Sequence, residues 1–173
     1  MRRTGRPANR KGKSNNAVSL IRAVGAPQCA APLLGMIGVP HRNARFKFVA
    51  ANNALKCGGT KAILDVVRAL PDAGAYARDQ VTGAISGEIA KMIPRDQAQA
   101  AARTLLSDRS TVAKWIGMET LAAMKATGDA PLVAALASSR ERLIGYWGER
   151  ADGKEDPTLG QRAKELSGLL GAK

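Results

Sequence analysis

Apolar residues recur at helical spacing along most of this 173-residue chain. The clearest stripe lies between residues 40 and 56, where Ala44, Phe48, Ala51 and Leu55 follow at i, i+4, i+7 and i+11. Further helices are predicted over 17–24, 60–70, 73–93, 96–106, 110–125, 129–150 and 158–170. No segment alternates apolar and polar residues as a half-buried strand does, so the pattern predicts an all-α multi-helix bundle.

Glycine, proline and capping residues indicate where these helices end or come together. The Gly- and Pro-rich residues 25–39 are predicted as turns. Thr60 and Ser110 are predicted N-caps, since a hydroxyl can accept a hydrogen bond from the first turn. Gly83 and Gly87 lie four residues apart in the longest predicted helix. We expect these two glycines to allow another helix to approach closely.

Charge is distributed very unevenly along the chain. Residues 1–64 contain 12 of the 27 basic residues and none of the 14 acidic ones, since the first acid is Asp65. The rest of the chain is almost neutral. Such asymmetry favours nucleic acid or another anionic surface as the partner. Residues 1–16 lack apolar periodicity and are predicted to be a disordered basic arm.

Composition and pattern divide the chain into four parts. A basic arm (1–16) precedes a basic module (17–59), an Ala-rich helical assembly region (60–151) and a linker with a C-terminal helix (152–173). The aromatic fraction is only 3%, so each helix buries little area, and we expect homo-oligomerisation to enlarge the core. An ordinary helical monomer is the alternative. The C-terminal helix is expected to be a docking tail for a protein partner.

The arm contains one short motif. Gly5-Arg6-Pro7 resembles the core of an AT-hook, although Thr4 stands where that pattern has a preceding arginine. The resemblance implies an extended segment in the narrow minor groove of A·T-rich DNA. A basic arm that contacts phosphates regardless of sequence is the alternative interpretation.

The basic module contains a second motif. Residues 33–40, followed by Asn43-Ala44-Arg45, resemble the turn and recognition helix of a helix-turn-helix. The resemblance implies that a glycine of this segment forms the tight turn and that the helix over 40–56 enters the major groove. The alternative is a packing helix whose polar side lies in solvent.

The predicted nucleic-acid contacts are the basic and amide side chains of the arm and of the 40–56 helix. They are Arg2, Arg3, Arg6, Arg10, Lys11, Lys13, Arg42, Arg45, Lys47, Asn52 and Lys56. Arginine can pair with guanine, asparagine with adenine, and every cation with phosphates. DNA is favoured over RNA as the partner.

Two features bear on the cellular compartment. Cys29 and Cys57 form no CxxC or zinc pattern, and two reduced thiols are expected in preference to a bridge. The uncharged residues 23–40 include three prolines, so no membrane span is expected. An organellar transit peptide is an alternative interpretation of the Arg-rich start.

The sequence gives no positive sign of catalysis. The single histidine, His41, lies in the basic helix, and no acid precedes residue 65 to orient it locally. Metal-ligating residues do not cluster at ligand spacing. We therefore expect no enzymatic activity, no cofactor and no metal.

The order of basic arm, helix-turn-helix-like module, helical assembly region and C-terminal tail resembles that of phage small terminase subunits. The resemblance implies a DNA-packaging role in the host cytoplasm or the virion. A structural virion or ribonucleoprotein component, whose arm contacts packaged nucleic acid, is the alternative. A cytosolic adaptor with an acidic partner is a third hypothesis.

Overall fold

A computed structural model describes residues 29–38, 44–70, 79–144 and 155–171. The helices are α1 (Ala30–Gly38), α2 (Ala44–Gly58), α3 (Ala62–Ala69), α4 (Asp79–Met92), α5 (Arg95–Leu106), α6 (Thr111–Ala123), α7 (Ala130–Ala134) and α8 (Leu159–Gly171), with 3₁₀ turns at Gly59–Lys61 and Thr127–Asp129. These segments contain no strand, only an isolated antiparallel bridge between Arg142 and Thr158. The all-α prediction is confirmed. The predicted arm (1–16) and the predicted helix at 17–24 lie outside the described residues.

Helix α6 is the centre of the second half of the fold. Trp115, Ile116, Met118 and Leu121 are all at least 98% buried, and they lie on different sides of the helix. Helices α4, α5 and α8 pack around it. A helix that is apolar on most of its circumference is stable only inside such a bundle.

Helix α2 is the centre of the first half of the fold. Ala50, Ala51, Ala54 and Leu55 are almost completely buried, and α1, α3 and α4 cover the helix. A single connected set of buried side chains runs from Cys29 to Leu170. The described residues on both sides of the predicted boundary at 59/60 therefore share one core.

The prediction of turns over residues 25–39 is wrong for Ala30–Gly38, which form helix α1. Pro32 lies in the first helical turn, where the missing N–H has no intrahelical acceptor to lose. Leu33 and Ile37 lie one turn apart and are fully buried against α2 and α3. Packing of these two side chains outweighs the low helix propensity of the glycine between them, Gly35.

The expectation of two reduced thiols is also wrong. Cys29 and Cys57 form a disulfide whose Cα atoms are 6.0 Å apart. The bridge joins the start of α1 to the end of α2, so the two helices are antiparallel. Because it closes a loop between residues 28 apart in sequence, it stabilises the fold by about 3 to 4 kcal/mol in the chain-entropy account.

The long helix predicted over 129–150 is wrong. Only α7 and a following turn are helical, and residues 145–154 lie outside the described part of the chain. The backbone after the turn bonds to the start of α8: Leu143 N–H donates to Pro157 O (2.9 Å) and Leu159 N–H donates to Glu141 O (2.7 Å). Val133 is buried in α7, whereas the neighbouring Leu132 is 46% exposed.

The predictions for α5, α6 and α8 are confirmed to within two residues at each end. Ser110 Oγ accepts from Ala113 N–H at 3.2 Å, as expected of an N-cap. The other predicted cap is wrong, because Thr60 lies in a 3₁₀ turn and its hydroxyl donates to the Gln97 side chain. Along α8, apolar residues at helical spacing are buried; they are Leu159, Ala163, Leu166 and Leu170.

Close helix contact occurs at a glycine that the pattern does not single out. A Cβ atom on Gly83 or Gly87 would have no neighbour within 4 Å, so neither glycine is needed for packing. A Cβ on Gly117, in α6, would lie 2.8 Å from the carbonyl oxygen of Ala102 in α5. Gly117 therefore sets the spacing between α5 and α6.

Polar contacts fix the ends of the core helices. Asp108 accepts hydrogen bonds from Ser110 N–H (3.0 Å) and from the Arg68 guanidinium (3.2 Å). The Ser110 amide is the largest cause of the lowered pKa of Asp108, and Arg68 contributes further. Lys114 Nζ, 2.9 Å from Glu141, is the largest cause of the lowered pKa of that carboxyl group.

We expect Gly117→Ala to lower the free energy of unfolding by about 1 to 2 kcal/mol, because the added methyl group overpacks the α5–α6 contact. Gly83→Ala is the matched control: its site is open, and alanine is favoured over glycine in a helix by up to about 1 kcal/mol. Urea unfolding of both variants measures the difference. Equal stability of the two variants would contradict the assigned packing.

Acid should weaken the hydrogen bonds that Asp108 accepts from Ser110 and Arg68. The pKa of Asp108 is lower in the folded protein than in the unfolded chain. Ionised Asp108 therefore stabilises the fold at pH values above its unfolded pKa. This stabilisation is lost as the pH falls through the folded pKa. The stability difference between the wild type and Asp108→Asn should therefore shrink from pH 7 to about pH 3. Urea unfolding at both pH values measures it, with the exposed Asp65→Asn as control. A difference independent of pH would refute this assignment.

Candidate nucleic-acid interface

Lys47, Asn52 and Lys56 are the predicted contacts whose side chains the structure describes. Arg45 lies in the first turn of α2, but its side chain is not among those described. The remaining predicted contacts fall outside the described residues. They are Arg2, Arg3, Arg6, Arg10, Lys11, Lys13 and Arg42.

Lys47 does not lie on an exposed face. Its residue is 3% exposed, and burial lowers the pKa of its amine because the charged form is desolvated. Lys47 precedes Ala51 by one helical turn and Ala54 by two, and both alanines are fully buried. Ala54, which is not part of the predicted apolar stripe, therefore extends the buried side of α2 beyond it. The run of small residues in the sequence is the signal that could have indicated this.

The amides of α2 are also occupied. Asn52 Nδ2 donates to Glu88 Oε2 of α4 at 2.8 Å, and Asn53 Nδ2 donates to the Val49 carbonyl oxygen at 2.7 Å. Among the described side chains of α2, only Lys56 is exposed. A recognition helix must present several donors to base edges. The Asn52 and Asn53 amides therefore do not lie free on the described part of α2, and Asn52 contacts α4. The recognition helix stays a prediction, because the side chains of Arg42 and Arg45 lie outside those described.

Four exposed cations belong to the neighbouring segments in which α2 and α4 end. We call Lys56, Lys61, Lys91 and Arg95 the corner cluster. Lys56 and Lys61 belong to the end of α2 and the 3₁₀ turn, whereas Lys91 and Arg95 belong to the junction of α4 and α5. Of these four residues only Lys56 is among the predicted contacts, and Lys91 and Arg95 become its neighbours only through the fold.

Two hydrogen bonds align the segments that make up the corner cluster. The Asn52–Glu88 bond lies before the corner, and the Thr60–Gln97 bond lies after it. Residues 52–60 therefore run alongside residues 88–97, in the same direction. Lys56 follows Asn52 by one helical turn, and Lys91 follows Glu88 by a little less than one turn. Both lysines are thus positioned between the two bonds.

Few carboxylates lie close enough to neutralise the positive charge of the corner cluster. Lys91 Nζ is 4.0 Å from Glu88 Oε1, and Lys91 is 76% exposed. Lys56, Lys61 and Arg95 form no ion pair with a described residue, although the exposed Asp65 and Asp96 lie near Lys61 and Arg95 in the sequence. Exposed ion pairs at such distances contribute little, so the four cations stay available to an anionic partner.

Five of the ten described cations outside the corner cluster have a carboxylate partner. These pairs are Arg68–Asp108, Arg103–Asp129, Lys114–Glu141, Arg142–Glu155 and Arg162–Glu119. Other exposed cations without a described ion pair are spread over turns and α8. They are Arg109, Lys125, Arg140 and Lys164.

The described residues offer little for metal or substrate binding. They contain no group of three or more His, Cys, Asp or Glu side chains that could hold a metal ion. Two surface depressions border α8, of about 400 Å³ near Arg142 and about 510 Å³ near Ala134. No helix in the described segments has both the length and the apolar character needed to cross a membrane.

Comparison with known proteins found no significant relative of this chain. No protein-family model matches the chain, and searches of the curated proteins and of the solved structures each found no significant match.

Proposed function

We propose that this protein binds nucleic acid through contacts with the phosphate backbone. The observation that supports the proposal best is the corner cluster, in which four exposed cations share one edge of the fold. Two of them, Lys56 and Lys61, belong to the 64 residues that contain no acid. Lysine and arginine bind phosphates by displacing condensed counterions, which requires exposed charge and no sequence readout.

The packing of α2 favours sequence-independent binding. Direct readout needs side chains that reach base edges, and the Asn52 and Asn53 amides already donate to protein oxygens. This observation favours the structural alternative, a virion or ribonucleoprotein component that contacts packaged nucleic acid. A packaging subunit similar to the phage small terminases would need readout from residues outside those described. Site selection from random DNA distinguishes the two roles.

Self-association and partner docking are further parts of the proposal. Leu169 of α8 is 70% exposed and Leu132 of α7 is 46% exposed. Leucines exposed to this degree are suited to a subunit or partner contact at the C-terminal helix. Light scattering on the full chain measures the subunit number, and Leu169→Glu should lower it if this contact forms the oligomer.

The corner cluster predicts a specific salt dependence. In a salt series with random duplex DNA, replacing Lys56, Lys61 and Arg95 together by alanine should flatten the slope of log K against log salt by about 2 to 3 units. Each phosphate contact contributes about 0.9 to that slope. Fluorescence anisotropy with labelled 30-base-pair DNA and with single-stranded RNA measures the constants.

A second triple variant controls for net charge. This control removes the same amount of charge from exposed positions outside the corner cluster. It combines Lys125→Ala, Arg140→Ala and Lys164→Ala. This control should leave the slope within about one unit of the wild type, because few of its residues contact phosphate. Equal flattening by both variants would contradict a localised interface. Absence of binding by the wild type to either nucleic acid at about 50 mM salt would refute the proposed function.

A further inference from the structure

The exposed cations of the corner cluster fall into two rows. Lys56 and Lys61 form the first row, at the end of α2 and in the 3₁₀ turn that follows it. Lys91 and Arg95 form the second row, at the end of α4 and the start of α5. Helix α2 packs against α4, and the 3₁₀ turn contacts α5. The two rows therefore belong to neighbouring segments that run in the same direction.

We infer that these two rows bind the two backbones of double-stranded DNA across one of its grooves. The inference rests on the proposed function and names the form of nucleic acid that the same site binds. Each row contacts the phosphates of one strand, and the duplex supplies both strands at once.

The separation of the rows is compatible with a duplex. The axes of packed helices lie about 8 to 10 Å apart, and this applies to α2 and α4. The 2.8 Å hydrogen bond from Asn52 Nδ2 to Glu88 Oε2 lies directly before the cluster and holds the two helices in contact. The grooves of B-form DNA are about 6 and 12 Å wide, so the separation lies between these two widths. The flexible four-carbon stem of lysine covers the remaining difference.

Each row is long enough for two or three phosphates of one strand. Lys61 follows Lys56 by five residues, and Arg95 follows Lys91 by four. At the rise of α and 3₁₀ helices, each row extends about 6 to 9 Å. One strand of a duplex carries a phosphate about every 3.4 Å along the helix axis. A single strand that follows one row leaves the other row without phosphates, whereas a duplex fills both.

Lys91 can exchange its carboxylate neighbour for a phosphate at little cost. Its Nζ is 4.0 Å from Glu88 Oε1, and its side chain is 76% exposed. An exposed ion pair at this distance contributes little to stability. Glu88 is only 25% exposed and stays bonded to Asn52, so it does not follow the lysine towards solvent. The second row therefore keeps both of its charges for the DNA.

Surfaces that bind single strands are built differently. They combine basic grooves with aromatic side chains on which the bases stack. The aromatic side chains that the structure describes are Phe46, Phe48 and Trp115. Trp115 is 2% exposed, and both phenylalanines pack against the core at least two helical turns before Lys56. The described part of the corner cluster thus offers charge without a stacking platform, which suits the outside of a duplex.

The test removes one row at a time from the full chain. The first-row variant is Lys56→Ala/Lys61→Ala, and the second-row variant is Lys91→Ala/Arg95→Ala. A third variant combines all four substitutions. Fluorescence anisotropy over a salt series gives the slope of log K against log salt for each protein. The probes are the labelled 30-base-pair DNA and an oligothymidylate of 30 nucleotides, which forms no duplex.

On duplex DNA, each row variant should flatten the slope by about 1.8, because two contacts of about 0.9 each are lost. Loss of both rows should flatten it by about 3 to 4. On oligothymidylate, loss of both rows should flatten the slope by about 1.4 or less, because one strand fills one row at about 0.7 per contact. The matched control, Lys125→Ala/Lys164→Ala, removes two exposed charges outside the corner cluster and should change either slope by less than about one unit.

The remaining outcomes separate the inference from the proposed function. Equal flattening on duplex DNA and on oligothymidylate would overturn the inference and leave the proposed function in place. A duplex slope that responds to only one row variant would overturn it too, because a single row would then contact the DNA. Glutamine replaces alanine at any position where alanine changes the far-ultraviolet circular dichroism. Absence of binding by the wild type to both probes at about 50 mM salt would refute the proposed function itself.

Discussion

Close packing of helices at small side chains is the constraint on which this structure depends. Gly117 brings α6 against the backbone of α5, and Ala50, Ala51 and Ala54 are fully buried along α2. Each of these residues removes little apolar area from water, so stability requires helices near enough for many dispersion contacts. Such contacts demand that both central helices be covered on several sides. The fold therefore places α2 and α6 inside, with α1, α3 and α4 around α2 and with α4, α5 and α8 around α6.

This constraint also decides where polar groups of the first half can lie. Once α2 is central, Lys47 is desolvated and Asn52 must find a partner on α4, which it does at Glu88. The Asn52–Glu88 hydrogen bond in turn aligns α4 with α2 and brings Lys91 towards Lys56. The arrangement that engages the Asn52 amide with α4 thus also brings the cations of the corner cluster onto neighbouring segments.

Sequence reasoning succeeded where local signals and burial agree. Helix α8 has a four-residue apolar stripe that is buried as predicted, and Ser110 caps α6 as its position indicates. It failed where distant residues decide the outcome. The segment after α7 leaves the helical pattern because Leu143 bonds to Pro157, and the disulfide forms because α1 and α2 are antiparallel. Neither contact has a signature in the local pattern.

The sequence predicts that the candidate site is a basic surface, but of the four residues in the corner cluster it predicts only Lys56 as a contact. The acid-free first 64 residues indicate an anionic partner whatever the fold, because no local carboxylate can neutralise them. Which cations are exposed depends on packing: Lys47 is buried and Lys56 is not, although both lie on α2. Lys91 and Arg95 come from the nearly neutral part of the chain. Net charge thus favours a class of partner for the proposal, and only the arrangement of helices shows which cations are exposed.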